Sequence, residues 1–333
     1  MEIAELSDLL VWAAATTFAI AMVAFAVDLG RRTVARTESR AEERATAGAG
    51  AGAGASAPAG ATAETSGGAG TGTLTAEPPP RRRAAGIAMS TSWLGTALLL
   101  VAIVLRGLAA GRTPWANMYE FTLVGSFVAM TVFLVLNLRR DVRYLGAFVT
   151  GLVTLFLVLG LNVFHIAATG VQPALQNYWL VLHVGVAIIA TGIFTVSFVL
   201  SSLQLLRDFR DEGNPFLARP GFRWLDRTPT PTTLESMSFR LNAVAFVLWT
   251  FTIIGGAIWA EDAWGRYWGW DPKEVWSFVI WVIYAAYLHA RTTRGWSGRR
   301  AAWFVLVGYA CVLFNFTGVN LIFNGKHSYS GIS

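Results

Sequence analysis

Residues Trp264 to Glu274 read WGRYWGWDPKE. Trp264, Trp268 and Trp270 share this stretch with Gly265, Gly269 and Asp271, between the apolar runs 238–260 and 274–291. An indole has a large apolar body and one N–H donor, so it suits a site that is dry on one side and wet on the other. The glycines let the backbone lie close to whatever the rings cover. A belt of interfacial aromatics explains tryptophan near the end of a membrane span, but it does not explain the WGxxWxWD spacing. The stretch reads as a loop at a membrane surface that holds a large, flat, mostly apolar molecule. Its last four residues, Asp271-Pro272-Lys273-Glu274, form a helix start: an acceptor for the first N–H groups, a proline at the first helical position and a glutamate that reaches back. Asp271 therefore reads both as a cap and as a ligand contact, and the two roles are compatible.

Outward from this loop, the chain is apolar. Of its 333 residues 54% are hydrophobic and 14% charged, and mean hydropathy is +0.50, where soluble domains carry roughly a quarter charged residues. Runs of about 20 apolar residues cross a bilayer as helices. Eight occur, at roughly 8–29, 88–108, 118–138, 144–164, 178–204, 238–260, 274–291 and 301–323. The fold class is an all-α integral membrane protein, a bundle of about eight transmembrane helices. The first run follows the acidic MEIAELSD and has its positive charges behind it, which is not the order of a cleaved leader.

Charge orients the bundle. Arg31, Arg32, Arg36, Arg81, Arg82 and Arg83 lie between spans one and two, and Arg139, Arg140 and Arg143 between three and four. Arg207, Arg210, Arg219, Arg223 and Arg227 lie between five and six, and Arg294, Arg299 and Arg300 between seven and eight. The alternate loops carry only Arg106, Arg112, Arg266 and Lys273. The positive-inside rule then places both termini, the Trp loop and the tail bearing His327 outside. The net charge of +6 is thus a matter of topology rather than of nucleic-acid binding. Residues 45–80 are Ala, Gly, Thr, Ser and Pro with almost no large apolar side chain, so they cannot bury enough surface to offset chain entropy. The expected organisation is a first transmembrane helix over 1–30, a flexible cytoplasmic linker over 31–87 and a seven-helix domain over 88–333. The single cysteine, Cys311, excludes an internal disulfide framework, a CxxCH attachment site and a thiol pair of the chain's own.

The chain has four histidines. His183 follows Tyr178 and Trp179, an interfacial pair, and sits about a turn inside the outer end of span five. His327 follows span eight. Both can flank the Trp loop if spans five to eight bundle together, and an imidazole on each side of a plane is what six-coordinate haem iron requires. The alternative is that each is an interhelical hydrogen-bond partner. His289 lies 18 residues after Asp271, roughly 25 Å deeper at about 1.5 Å per residue. It shares a face with Trp281 and Ala285. One histidine at that depth cannot supply both axial ligands, so a partner chain would supply the other. His165 reads as interfacial. Arg266 and Lys273, with Arg112 nearby, are candidates for pairing with haem propionates.

WGRYWGWDPKE, followed by YLHAR (Tyr287–Arg291) and GKHSY (Gly325–Tyr329), resembles the CcsA-type proteins of System II cytochrome c biogenesis, also labelled CcsB or ResC, in the WWD haem-handling family. PWANMYE (Pro114–Glu120) and LQNYWLVLHV (Leu175–Val184) add to the resemblance, which covers about residues 88–333. The resemblance implies that His183 and His327 are paired external haem ligands and the catalytic pair. It implies that Trp264, Gly265, Trp268, Trp270 and Asp271 form the haem platform, with Arg266 beside it. By the same resemblance His289 shares a transmembrane haem with a partner. The implied cofactor is haem b, iron protoporphyrin IX. The implied partners are a CcsB/ResB-type membrane protein, an apocytochrome c substrate and a thioredoxin-like thiol reductant. The implied setting is the bacterial plasma membrane, and the implied activity is haem delivery and covalent attachment to CxxCH motifs, as the haem half of a cytochrome c synthase. Asn117, Tyr119 and Glu120 match a family motif without a chemistry that the sequence supplies. A haem exporter or relay without attachment activity, and a non-catalytic membrane subunit, are the alternative readings.

Overall fold

A computed structural model describes residues 2–52, 83–170, 176–323 and 325–327. All regular structure among these residues is helical. Helices α1 (Ile3–Gly52), α2 (Arg83–Ala110), α3 (Met118–Arg139) and α4 (Gly146–Val163) make the first half. A π-helical turn, Leu180–Val184, leads into α5 (Gly185–Asp211). Helices α6 (Pro231–Trp264), α7 (Pro272–Thr293), α8 (Arg299–Phe316) and the short α9 (Gly318–Ile322) complete the chain. Seven of these, α1 to α6 and α8 continued by α9, are long and apolar enough to cross a membrane. The protein is a multi-pass membrane protein.

The eighth expected span, 274–291, is α7. Its 22 residues span about 33 Å at about 1.5 Å per residue, which is long enough. Trp276, Trp281, Tyr284, Tyr287, His289 and Arg291 dilute its apolar character below that of the other seven. Of the expected linker over 31–87, the backbone continues α1 as helix to Gly52, 83–87 open α2, and 53–82 lie outside the described residues.

Local sequence sets the helix ends that matter for the site. Asn117 caps α3, its side chain accepting from the Glu120 N–H. Thr230 followed by Pro231 starts α6, and Gly265, at φ 68°, ends it in the left-handed conformation that glycine adopts without strain. Six residues later Asp271 starts α7. Consecutive helices therefore turn back on each other within a short loop, and the Trp loop is the reverse turn between α6 and α7.

Two cores share α5. One joins α1 to α5 through Phe18, Phe25, Leu123, Met130, Phe133 and Leu200. The other joins α5 to α8 through Phe194, Trp249, Tyr284, Val305 and Tyr309. Glycines let α1 come close to its neighbours: a Cβ at Gly95 would lie 2.7 Å from Phe18, and one at Gly146 would lie 2.5 Å from Phe25. Small residues at such crossings and hydroxyl bonds between helices hold bundles together in lipid. Here the hydroxyl bonds are Ser201 to Ser238 at 2.7 Å, Ser197 to Ser238 at 2.9 Å and Thr195 to Tyr309 at 2.9 Å.

Candidate haem-binding site

The Trp-loop end of the bundle holds a cavity of ≈ 190 Å³ walled by α3, α5, α6, α7, α8 and the tail. His183 and His327 both line it. His183 sits in the π-helical turn ahead of α5. Such turns interrupt the regular ladder and recur at functional sites. The turn is held from outside, because Trp115 Nε1 donates to the Leu180 carbonyl at 3.0 Å. His183 Nδ1 lies 2.8 Å from the Thr252 carbonyl of α6. A carbonyl only accepts, so Nδ1 carries the proton and the lone pair is on Nε2. Gly256, one turn on, leaves room for the ring: a Cβ there would lie 2.7 Å from His183 Cε1. The Trp259 ring meets the imidazole edge to face at 5.7 Å.

His327 is fixed in the same way by a different acceptor. Its Nδ1 lies 2.8 Å from Asp271 Oδ2, and the carboxylate again places the proton on Nδ1 and the lone pair on Nε2. Asp271 is 7% exposed, and its side chain and N–H make four hydrogen bonds: Oδ1 accepts from the Lys326 N–H at 2.7 Å, Oδ2 accepts from the Lys273 N–H at 3.3 Å and from His327, and the Asp271 N–H donates to Glu274 at 3.1 Å. The cap and the site contact read from the sequence are thus one arrangement. Burial alone would raise the Asp271 carboxyl, but the bonds from His327 and Lys326 outweigh it and hold its pKa below the ordinary carboxylate value. The tail reaches the carboxylate because residue 325 is glycine; a Cβ there would collide with Asp271 Oδ1.

The predicted platform residues separate into distinct places. Trp268 lines the cavity, with Tyr267 at its rim. Trp264 sits behind the tail: its ring meets the His327 ring edge to face at 4.8 Å and lies 5.5 Å from Lys326 Nζ. Trp270 is 74% exposed, has φ +59°, and packs edge-on against Trp268 at 5.9 Å. Gly265 is the cap of α6. Arg266 folds back over Gly269, where a Cβ would strike the guanidinium. Glu274 closes the loop by accepting from the Gly269 and Asp271 N–H groups at 2.8 and 3.1 Å.

Of the three basic residues considered for propionates, only Lys273 lines the cavity. Its Nζ donates to the Asn315 carbonyl at 2.7 Å and to Asn320 Oδ1 at 3.2 Å. Arg112 is held elsewhere. It pairs with Glu120 at 2.6 Å, and Arg106 pairs with the same carboxylate at 3.3 Å, Arg106 and Glu120 being 1% and 0% exposed. Tyr119 donates to Asp8 at 2.8 Å, and His165 meets the other oxygen of Asp8 at 2.8 Å. The PWANMYE motif therefore has a structural chemistry: a helix cap, a buried charge cluster and a tie to α1. It aims Trp115, Asn117 and Met118 at the cavity wall. His289 is not part of this site; it is exposed near the far end of α7.

Sequence reasoning missed Thr252, Gly256 and Trp259, and gave Trp115, inside PWANMYE, no role of its own. Thr252 acts through its backbone carbonyl, which no side-chain motif announces. The Gly255-Gly256 pair inside α6 was the readable signal, since glycine in a helix interior weakens it unless something must approach closely.

Three comparisons bear on this site. The family described as "Cytochrome C assembly protein" matches residues 115–327. A relative from Guillardia theta, "Cytochrome c biogenesis protein CcsA", is 32% identical over 253 residues, 71% of this chain and 84% of that protein. One of the same name from Synechococcus sp. (strain CC9902) is 35% identical over 252 residues, 70% of this chain and 83% of that protein. The solved structure of "Cytochrome c Heme Lyase CcmF" superposes with a TM-score of 0.62 at 15% identity, covering 99% of this chain and 49% of its own. This chain thus shares that fold while spanning about half that protein's length. By the matched family and these relatives, the chain belongs to the cytochrome c assembly protein family, as a CcsA-type member.

Proposed function

We propose that the protein is the haem-handling subunit of a cytochrome c synthase, which receives haem b and presents it for attachment to apocytochrome c. The observation that carries this reading is the pair of imidazoles on one cavity, each with Nδ1 committed to an acceptor and its lone pair on Nε2. No group of three or more His, Cys, Asp or Glu side chains that would hold a bare metal ion occurs among the described residues. Two imidazoles are what an iron that brings its own four equatorial nitrogens requires. The cavity wall also carries Trp259 Nε1 and Asn315 Oδ1 without partners among the described residues. Trp259 Nε1 would donate to a bound group's carboxylate, and Asn315 Oδ1 would accept from a water. At ≈ 190 Å³ the cavity is smaller than the roughly 300–1,000 Å³ of ordinary ligand pockets. The wall residues would therefore hold only part of a porphyrin, and the remainder would be open to an incoming polypeptide.

Attachment adds the two thiols of a CxxCH motif across the haem vinyl groups. The chain's own contribution is placement. His183 and His327 would hold the metal, Trp268 and Trp259 would confine the ring, and Lys273 Nζ is a hydrogen-bond donor on the cavity wall. Positioning of this kind supplies several kcal/mol of a barrier. The thiols come from the substrate, and a thioredoxin-like reductant keeps them reduced. A CcsB/ResB-type partner completes the complex in the bacterial plasma membrane, with the Trp loop facing outward. Exposed His289 is the side chain on α7 from which a shared second site with that partner would be built.

Reconstitution tests the proposal. The protein, purified with its partner and loaded with haem, is mixed with a reduced CxxCH peptide, and thioether formation is followed by mass spectrometry. Attachment that depends on His183 and His327 is expected. Haem binding and release to the peptide without a covalent product would instead make the protein a relay.

A further inference from the structure

We infer that Asp271 is a positioning residue whose carboxylate fixes the tautomer of His327, so that the two proposed iron ligands have unequal support. This inference deepens the function proposed above and rests on it only for its haem-dependent part. His183 donates to a backbone carbonyl, a neutral acceptor. His327 donates to a carboxylate that is 7% exposed. Charge-assisted bonds are shorter and about twice as strong as neutral ones. A carboxylate behind a ligating imidazole fixes ring orientation and raises the basicity of the far nitrogen. His327 is therefore the better supported donor, although it stands on a tail segment and not within a helix.

One carboxylate joins two elements, α7 and the tail. Asp271 caps α7, accepts the Lys326 N–H and accepts His327 Nδ1. The tail thus docks through backbone and side chain together, and residue 325 must be glycine for it to do so. Trp264 and Lys326 close the other side of His327, the ring at 4.8 Å and the ammonium 5.5 Å above the indole. Nothing in this arrangement is needed merely to start α7, since Ser, Thr or Asn caps a helix as well as Asp does.

Asp271→Asn separates the roles. The amide oxygen, at the Oδ1 position, still accepts from the Lys326 N–H, so the tail contact persists, while the Lys273 N–H, which shares Oδ2 with His327, loses its 3.3 Å acceptor. The amide nitrogen now faces His327 Nδ1 and can only donate, which forces the proton to Nε2 and removes the lone pair from the ligating nitrogen. The same substitution behind a catalytic histidine of a serine protease leaves geometry intact and yields the wrong tautomer. Gly325→Ala attacks from the other side: Asp271 is untouched, but the tail is pushed away from it.

Two readouts test the inference, and the first needs no haem. In ligand-free protein labelled with 15N-histidine, His327 is expected as the Nδ1–H tautomer in wild type and as Nε2–H in Asp271→Asn, with the variant still unfolding cooperatively in detergent. The second is haem titration, followed by absorbance. Loss of a supporting partner weakens metal binding by roughly 10–100-fold. Both variants should show that loss together with a five-coordinate spectrum, which added imidazole converts back to six-coordinate. A His327 tautomer unaffected by Asp271→Asn, or wild-type haem affinity and coordination in both variants, overturns the inference. The expected tautomer change in Asp271→Asn, combined with a wild-type protein that takes up no haem, leaves Asp271 as the positioning residue and instead overturns the proposed function.

Discussion

Gly256→Ala probes the wall behind His183. A Cβ on residue 256 would lie 2.7 Å from His183 Cε1 and 3.1 Å from Nδ1. Non-bonded carbons rest at about 3.5–4.0 Å, so the ring must retreat by about 0.8 Å or more. The bond from Nδ1 to the Thr252 carbonyl is 2.8 Å long, and a retreat of that size stretches it to about 3.6 Å, beyond a hydrogen bond. The lost bond costs about 0.5–1.5 kcal/mol, and overpacking in a close helix pair adds about 1–3 kcal/mol. The larger effect is on the ligand. With its orienting acceptor lost, His183 is expected to hold iron roughly 10–100-fold less tightly. Gly255→Ala is the control, because its Cβ would meet Trp179 at 3.3 Å and not the imidazole. Haem titration by absorbance, with thermal unfolding of the same samples, measures both effects. Haem dissociation constants within threefold of wild type for Gly256→Ala would refute the claim that the Thr252 bond orients His183.

Three further outcomes are expected. Glu120→Ala leaves Arg106 buried without its carboxylate, and breaking a buried pair costs about 3–5 kcal/mol; unfolding in graded denaturant should show that loss, whereas a change under 1 kcal/mol would remove the cluster from the account. Trp115→Phe keeps the ring but deletes the donor to the Leu180 carbonyl, so a loss of about 0.5–1.5 kcal/mol with altered hydrogen exchange at 180–184 is expected, and unchanged exchange there would contradict it. The Asp226 carboxyl is held below the ordinary value by its bond from Arg210. A lowered folded value means its contribution is complete above about pH 4 and is lost as pH falls through the lowered value. Trp224 fluorescence in the Pro220–Arg227 turn should therefore change on acidification below about pH 4, and the change should weaken in 1 M salt, since Asp226 is half exposed.

Much of the architecture was legible because membrane helices advertise themselves. The runs beginning near 118, 144 and 301 became α3, α4 and α8 continued by α9, with only small shifts at their ends. Asp271-Pro272-Lys273-Glu274 was readable as a cap, and the full capping box is present. Helix α7 was harder, because an aromatic-rich helix satisfies the length rule more clearly than the apolarity rule. His183 and His327 were legible as a pair through their spacing around the Trp loop, and they share one cavity. Their supporting acceptors were only half legible. Asp271 lies inside the motif, but Thr252 contributes a peptide carbonyl, which every residue possesses. Arg112 illustrates the opposite failure: its place in a polar loop suggested a free cation, yet Glu120, eight residues on, claims it. Side-chain pairing across a loop is set by packing that no periodicity encodes.

The most direct measurement is the coordination of the iron in the haem-loaded protein bound to its partner, read from absorption and electron paramagnetic resonance spectra. A low-spin, bis-imidazole iron at the Trp-loop site is expected, lost in His183→Ala and in His327→Ala and recovered in each with added imidazole. Spectra identical to wild type in both variants would contradict it.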